Sequence, residues 1–188
     1  SDCEQLIYLQ IAMKNKSKVH NPKNYANVVR DVCNQLDAEF AFVLYDSELG
    51  ITIASRDLYG VRPLFWSYTN DKSIVFGSEY KSIIDLANDE CNQFQPGNFM
   101  IISKDLEILE YESYDSNKFK SSFNKTIGLS EKSVCKIIRK TFTEAVNKRL
   151  MSDVSVCALL SGGLDSSLVC ALAIEKLGHL QTFSIGMK

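Results

Sequence analysis

The stretch Val154-Ser155-Val156-Cys157-Ala158-Leu159-Leu160-Ser161-Gly162-Gly163-Leu164-Asp165-Ser166-Ser167 decides how the second part of this chain folds. Residues 154–160 read as a short buried strand, Gly162 and Gly163 as a tight turn, and residues from about 166 to 177 as a helix. Residues 180–185 read as a second strand, so the whole is one βαβ unit of a parallel sheet. The turn has the composition of an anion site. Two glycines let the main chain approach a ligand with no Cβ in the way. The helix behind them aims free N–H groups and the positive end of its dipole into the loop. Ser161, Ser166 and Ser167 add hydroxyl donors, and Asp165 can hold Mg²⁺ against the oxygens being neutralised. The loop has neither the Gly-Lys-Ser/Thr ending of a Walker loop nor the dinucleotide fingerprint. A plain Gly-Ser turn is the blander alternative, and the apolar strand directly before the loop argues against it. A loop for pyrophosphate implies cleavage of ATP between its α and β phosphates. AMP passes to an acceptor, usually a carboxylate, and a nucleophile then displaces it. Such catalysis is mainly charge neutralisation and positioning.

Working outward, Ser130 can cap a helix whose stripe Val134, Ile137, Ile138, Phe142, Ala145, Val146 and Leu150 is expected to be buried. Lys132, Lys136, Arg139, Lys140 and Lys148 lie mostly off that stripe and read as a solvated face. Residues 115–128 are rich in Ser, Asn and Lys and read as a linker. Before them, residues 40–45 and 51–54 read as a hairpin around the turn 46–50, and 63–68 with 73–76 as a second one. Short strands are also expected at 98–102 and 106–114. Residues 2–14 read as a helix. Asn21-Pro22 reads as an N-cap and N1 pair ahead of Tyr25, Val28, Val29, Val32, Cys33 and Leu36, a strong helical stripe. The first part is therefore helices followed by antiparallel sheet.

The chain has 188 residues, 45% of them apolar and 23% charged, a globular composition with a formal net charge of −2. That balance argues against a nucleic-acid partner. No apolar run approaches the about 18 to 20 residues of a membrane helix. The six cysteines form no C-x-x-C pair, and with two histidines they suit neither zinc nor a disulfide framework, so reduced thiols in a cytoplasmic setting are expected. Ser1 enters directly into a helical pattern and Lys188 follows an apolar strand, so the expectation is a segment of something longer.

The loop resembles the ATP-pyrophosphatase loop of adenylating amidotransferases. Further stretches narrow the resemblance to glutamine-hydrolysing asparagine synthetases: Asn147-Lys148-Arg149-Leu150-Met151-Ser152-Asp153 ahead of the loop, Arg56-Asp57-Leu58-Tyr59-Gly60-Val61-Arg62-Pro63-Leu64-Phe65, Leu180-Gln181-Thr182-Phe183-Ser184-Ile185-Gly186-Met187, and Ser1-Asp2-Cys3-Glu4. The resemblance implies the C-terminal part of an α+β glutaminase domain, a layered sandwich of the N-terminal-nucleophile hydrolase type, over residues 1–123. Residues 124–188 would be the start of an α/β parallel-sheet ATP-pyrophosphatase domain. It implies small-molecule substrates (ATP with Mg²⁺, aspartate and glutamine), passage through β-aspartyl-AMP, no nucleic-acid or membrane partner, and allows a homodimer. Asp2 would hold the α-ammonium of glutamine. Leu159, Ser161, Gly162, Gly163, Asp165, Ser166 and Ile185 would bind ATP and pyrophosphate, with Mg²⁺ at Asp165. Leu159 and Ile185 are at the same time expected as core-strand residues. Arg56, Asp57 and Arg62 read as buried or interfacial ion pairing that shapes the sheet, and Glu79 and Lys81 likewise. Cys3 is not expected to be a nucleophile, because an N-terminal nucleophile uses its own α-amine as base and Cys3 has two residues ahead of it. No catalytic residue is expected within the chain, which by itself should catalyse neither half-reaction. A ligase with another carboxylate acceptor and a non-catalytic remnant stay open as alternatives.

Overall fold

The computed structural model describes residues 2–17, 25–88, 90–115 and 128–186. The chain forms two compact units, Ser1–Lys118 and Phe119–Lys188. The first contains α1 (Asp2–Ser17), α2 (Ala26–Gln35), β1 (Ala41–Asp46), β2 (Ile51–Arg56), β3 (Phe65–Tyr68), β4 (Ile74–Gly77), β5 (Asn92–Gln93), β6 (Asn98–Ile102) and β7 (Ile108–Ser113). A 3₁₀ turn, Tyr80–Ser82, follows β4. All strand pairings in this unit are antiparallel, in a four-stranded sheet ordered β1-β2-β6-β7 and a three-stranded sheet ordered β4-β3-β5.

In the two central strands of the four-stranded sheet, β6 is apolar at four successive positions, Phe99 to Ile102, and β2 carries Ile51, Ile53 and Ala54; the strand period of two sends neighbouring residues to opposite faces. Ile51, Ile53, Phe99 and Ile101 pack with Tyr25, Val28, Val29 and Val32 of the helical layer. Ala54, Met100 and Ile102 face the other way, onto Leu64, Phe94, Trp66 and Phe76. The result is a helix layer, a sheet and a second sheet. Of the stripe expected on α2, Tyr25, Val28, Val29, Val32 and Cys33 are buried and Leu36 is half-buried. That helix starts behind Tyr25 with no side-chain cap; the expected cap, Asn21-Pro22, lies outside the described residues.

A polar bolt ties α1 to the β1–β2 turn. Lys14 Nζ donates to Asp46 at 2.8 Å and to Glu48 at 2.7 Å, the Tyr25 hydroxyl donates to Asp46 at 2.9 Å, and Gln10 donates to the Tyr25 oxygen at 2.8 Å. Burial pushes the Asp46 carboxyl up, but the bonds from Lys14 and Tyr25 outweigh it and hold the pKa below the usual carboxylate range. Burial likewise pulls Lys14 down, and its bonds to Asp46 and Glu48 win, leaving it raised. Burial first, then Asp46, pushes the Tyr25 phenol up to about 12 against the Gln10 bond. A depressed carboxyl contributes stability above its unfolded value of about 3.9 and loses it as pH falls through the folded value; a raised lysine contributes below about 10.4 and loses it as pH rises through the folded value. Lys14→Met is therefore expected to cost about 1.5–3 kcal/mol at neutral pH. In urea titrations the gap to wild type should be flat across mid-range pH and shrink at the acid end. A gap that stays constant as pH falls through the protonation of Asp46 would contradict this account.

The second unit contains α3 (Glu131–Arg149), β8 (Cys157–Leu159), α4 (Leu164–Leu177) and β9 (Gln181–Phe183). β8 and β9 are parallel, with Cys157 opposite Gln181, Ala158 opposite Thr182 and Leu159 opposite Phe183. The Ser130 hydroxyl caps α3 by accepting from the Ser133 N–H. The βαβ order expected from the sequence is present, with both strands shorter than expected. α4 begins two residues earlier than expected, because Gly163 takes the extended N-cap conformation. Two expectations fail in this unit: the strand read as buried over 154–160 has no fully buried residue, because only one of its faces meets the helices, and the stripe of α3 is mostly exposed. Of the α3 stripe only Val146 is buried, while Ile138 is 60% and Phe142 36% exposed. Within this unit a small cluster of Val146, Ala173 and Leu180 forms the core, joined by Leu150, Val156 and Ala158. It reaches only the C-terminal half of α3.

Candidate functional site

The loop expected to bind an anion sits where β8 ends and α4 begins. Leu160 continues the parallel ladder by donating its N–H to Phe183 O at 2.8 Å. At the next rung the Ser184 hydroxyl, at 2.6 Å, takes the Leu160 carbonyl. The chain then turns through Gly162 at φ +79°, a conformation that disfavours a side chain, and a Cβ there would meet open space. α4 starts with no side-chain cap on its N-terminal amides, so those N–H groups face the loop as donors. Ser161 and Ser166 hydroxyls are 3.0 Å apart. Ser166 Oγ and Ser167 Oγ both donate to the Gly163 carbonyl, at 3.1 and 2.8 Å. Asp165 lies exposed in the first turn of α4.

Ser161, Gly162, Gly163, Asp165 and Ser166 are thus brought together on one turn. Leu159 and Ile185 correct the sequence reading. They are 79% and 101% exposed, so neither is a core residue. The physical reason is strand alternation: Ala158 turns toward α3 and α4 with the apolar cluster, while Leu159 and Phe183 turn to the other face, which no described residue of this unit covers. Asp2 opens α1, and its side chain lies outside the described residues, as does that of Cys3. The five described cysteines are all free thiols. Cys33 is buried, and burial pushes its thiol up to about 11 against its bond to Ser55.

The Arg56 to Phe65 element also differs from expectation. Arg56 and Asp57 are buried, yet each bonds to the main chain and not to an opposite charge. Arg56 donates to the carbonyls of Arg62, Phe94 and Gly60 at 2.7, 2.7 and 2.8 Å. Asp57 accepts from the N–H groups of Tyr59, Val61 and Arg62 at 3.1, 2.9 and 2.9 Å. A tight loop leaves buried peptide groups that strands cannot satisfy, and these two side chains satisfy them. Arg62 does pair, with Glu39 at 3.8 Å, and Glu79 with Lys81 at 2.8 Å, but those pairs are exposed to solvent. The sequence reading also passed over Ser184 and the special place of Ser167; the i to i+4 spacing of Gly163 and Ser167 was the available signal for the latter.

Residues 1–85 match the sequence profile of the glutamine amidotransferase domain and residues 137–188 that of asparagine synthase. The chain is similar to the probable glutamine-hydrolysing asparagine synthetase of Dictyostelium discoideum, 37% identical over 92% of this chain and 28% of that protein. It is similar to the glutamine-hydrolysing asparagine synthetases of Gallus gallus, 33% identical over 85% of this chain, and Homo sapiens, 33% identical over 86%, each over 32% of the relative. The chain therefore spans about a third of the length of the curated relatives it matches. A solved glutamine phosphoribosylpyrophosphate amidotransferase from B. subtilis aligns over 95% of this chain and 42% of its own, at 17% identity and a TM-score of 0.41, too low to bear on the fold. Among the described residues no helix is long and apolar enough to cross a membrane.

Proposed function

We propose that this chain is the part of a glutamine-hydrolysing asparagine synthetase that joins the end of its glutaminase domain, a layered sandwich of the N-terminal-nucleophile type, to the first βαβ unit of its ATP-pyrophosphatase domain. The observation that carries the proposal is the open Gly162 turn at the uncapped start of α4, at the end of a parallel strand, together with relatives of that name over most of the chain. In the whole enzyme, the aspartate β-carboxylate attacks the α-phosphorus of ATP, forming β-aspartyl-AMP and releasing pyrophosphate. Ammonia from glutamine hydrolysis then attacks the acyl carbon, and AMP leaves with asparagine formed. The N–H groups at the start of α4, with the hydroxyls of Ser161 and Ser166, hold the departing pyrophosphate. The exposed apolar side chains of Leu159, the last residue of β8, and of Ile185, two residues past β9, suit the flat face of adenine. Asp165 fits a Mg²⁺ ligand, because an exposed carboxylate beside an anion site would repel pyrophosphate unless a cation stood between them. When bound, Mg²⁺ supplies charge neutralisation of the phosphate oxygens. Asp2 would bind the α-ammonium of glutamine, and the setting would be cytoplasmic.

The test is pyrophosphate release from MgATP by the full polypeptide carrying this chain, with and without aspartate, then with glutamine. Aspartate-dependent release that yields asparagine on adding glutamine is expected; release that ignores aspartate would assign another carboxylate acceptor. The 188 residues alone are expected to make no asparagine, since the face of β8–β9 beside the loop is uncovered and parallel sheets work with both faces buried.

A further inference from the structure

We infer that Ser167 is a positioning residue for the anion loop: its hydroxyl pins the Gly163 carbonyl so that the Leu164 N–H points into the loop. The inference rests on reading this turn as an anion site. Gly162 and Gly163 have no side chains to restrain them, so the Gly163–Leu164 peptide is free to turn over unless something outside the turn holds it. In a trans peptide the C=O and N–H point in opposite directions. Drawing the Gly163 oxygen down toward α4 therefore aims the Leu164 N–H up at the ligand and keeps a partial negative charge away from it.

Three donors converge on that oxygen: the Ser167 N–H at 3.1 Å, Ser167 Oγ at 2.8 Å and Ser166 Oγ at 3.1 Å. Ser166 is also within 3.0 Å of Ser161, and a serine hydroxyl has one proton to give. Once an anion arrives, Ser161 and Ser166 turn their protons to it, and Ser167 is the side chain left on the carbonyl. Its hydroxyl is already committed inward, so it is not one of the ligand's donors. Ser167 is itself exposed, which makes its truncation cheap for overall stability and its effect local.

The experiment compares wild type, Ser167→Ala and Ser167→Thr in the full polypeptide carrying this chain. Threonine retains a hydroxyl able to reach the i−4 carbonyl of a helix. Two readouts are needed: amide hydrogen exchange at residues 163–165 without nucleotide, and binding of magnesium pyrophosphate, followed by KM and kcat for MgATP. Ser167→Ala is expected to speed exchange and weaken pyrophosphate binding by about three- to tenfold, the size of one hydrogen bond. It should raise the KM for MgATP by a similar factor, leave the KM for aspartate unchanged, and recover in Ser167→Thr. A merely structural serine would lower the melting temperature and leave MgATP and aspartate alike unmoved. Unchanged exchange and unchanged pyrophosphate binding in Ser167→Ala would overturn the inference. Weaker pyrophosphate binding restored by threonine, in a protein that makes no asparagine, would uphold it while sinking the synthetase reading.

Discussion

Asp165→Ala is expected to lower aspartate-dependent pyrophosphate release in the full polypeptide by about a hundredfold or more, the usual size of losing a charge that acts at the reacting phosphates. The carboxylate stands in the first turn of α4, exposed, beside uncapped amides and a glycine turn. A negative side chain there favours the helix by about 0.3–1 kcal/mol, so its loss leaves the fold nearly untouched and the defect falls on chemistry. The sign of the effect on binding separates a cation ligand from a simple helix charge. With Mg²⁺, Asp165→Ala should bind pyrophosphate more weakly than wild type. With the metal chelated, it should bind more tightly, because a repelling charge has gone. The same direction of change with and without Mg²⁺ would refute the assignment.

Arg56→Met is expected to cost about 3–5 kcal/mol in urea unfolding of the first unit, since one change strands several buried acceptors. Its guanidinium reaches three carbonyls from two separate segments of chain, and methionine fills much of the space while satisfying none of them. Lysine would not rescue it, because a single ammonium cannot reproduce the planar fork. Arg62→Ala provides the contrast: its side chain is 63% exposed and 3.8 Å from Glu39, so the change should stay within about 0.5 kcal/mol. Gly60→Ala should behave like Arg56→Met. Gly60 sits at φ +64°, and a Cβ there would come within 2.9 Å of Arg56 Nη2 and 2.8 Å of Pro96. Equal costs for Arg56→Met and Arg62→Ala would contradict the clamp.

Much of the architecture was legible because period is a local property. The 3.6-residue stripe of α2, the apolar run of β6 and the alternating Ile51 and Ile53 of β2 predict burial wherever those elements pack, and they do pack. The short β5 was not legible: two polar residues, Asn92 and Gln93, carry no periodic signal, and they are a strand only because β3 offers an edge. The α3 stripe shows the converse. Its apolar spacing is real, but spacing does not say what lies against it, and among the described residues of this unit the apolar cluster meets α3 at its C-terminal end. Charged residues misled for a related reason. Arg56, Asp57 and Arg62 read alike as ion pairs, yet whether a charge meets another charge or a peptide group depends on where the loop folds back.

The order of strands, turn and helix, and the residue types of the anion loop, were determined by the sequence alone, since strand and helix periods and glycine's conformational freedom need no distant partner. Only the tertiary structure decided that Leu159 and Ile185 lie bare beside the loop, that Arg56 and Asp57 serve the main chain, and that Ser167 turns inward onto Gly163. Each of these depends on which groups the folded chain brings within hydrogen-bond or van der Waals reach, and a linear pattern does not encode that proximity.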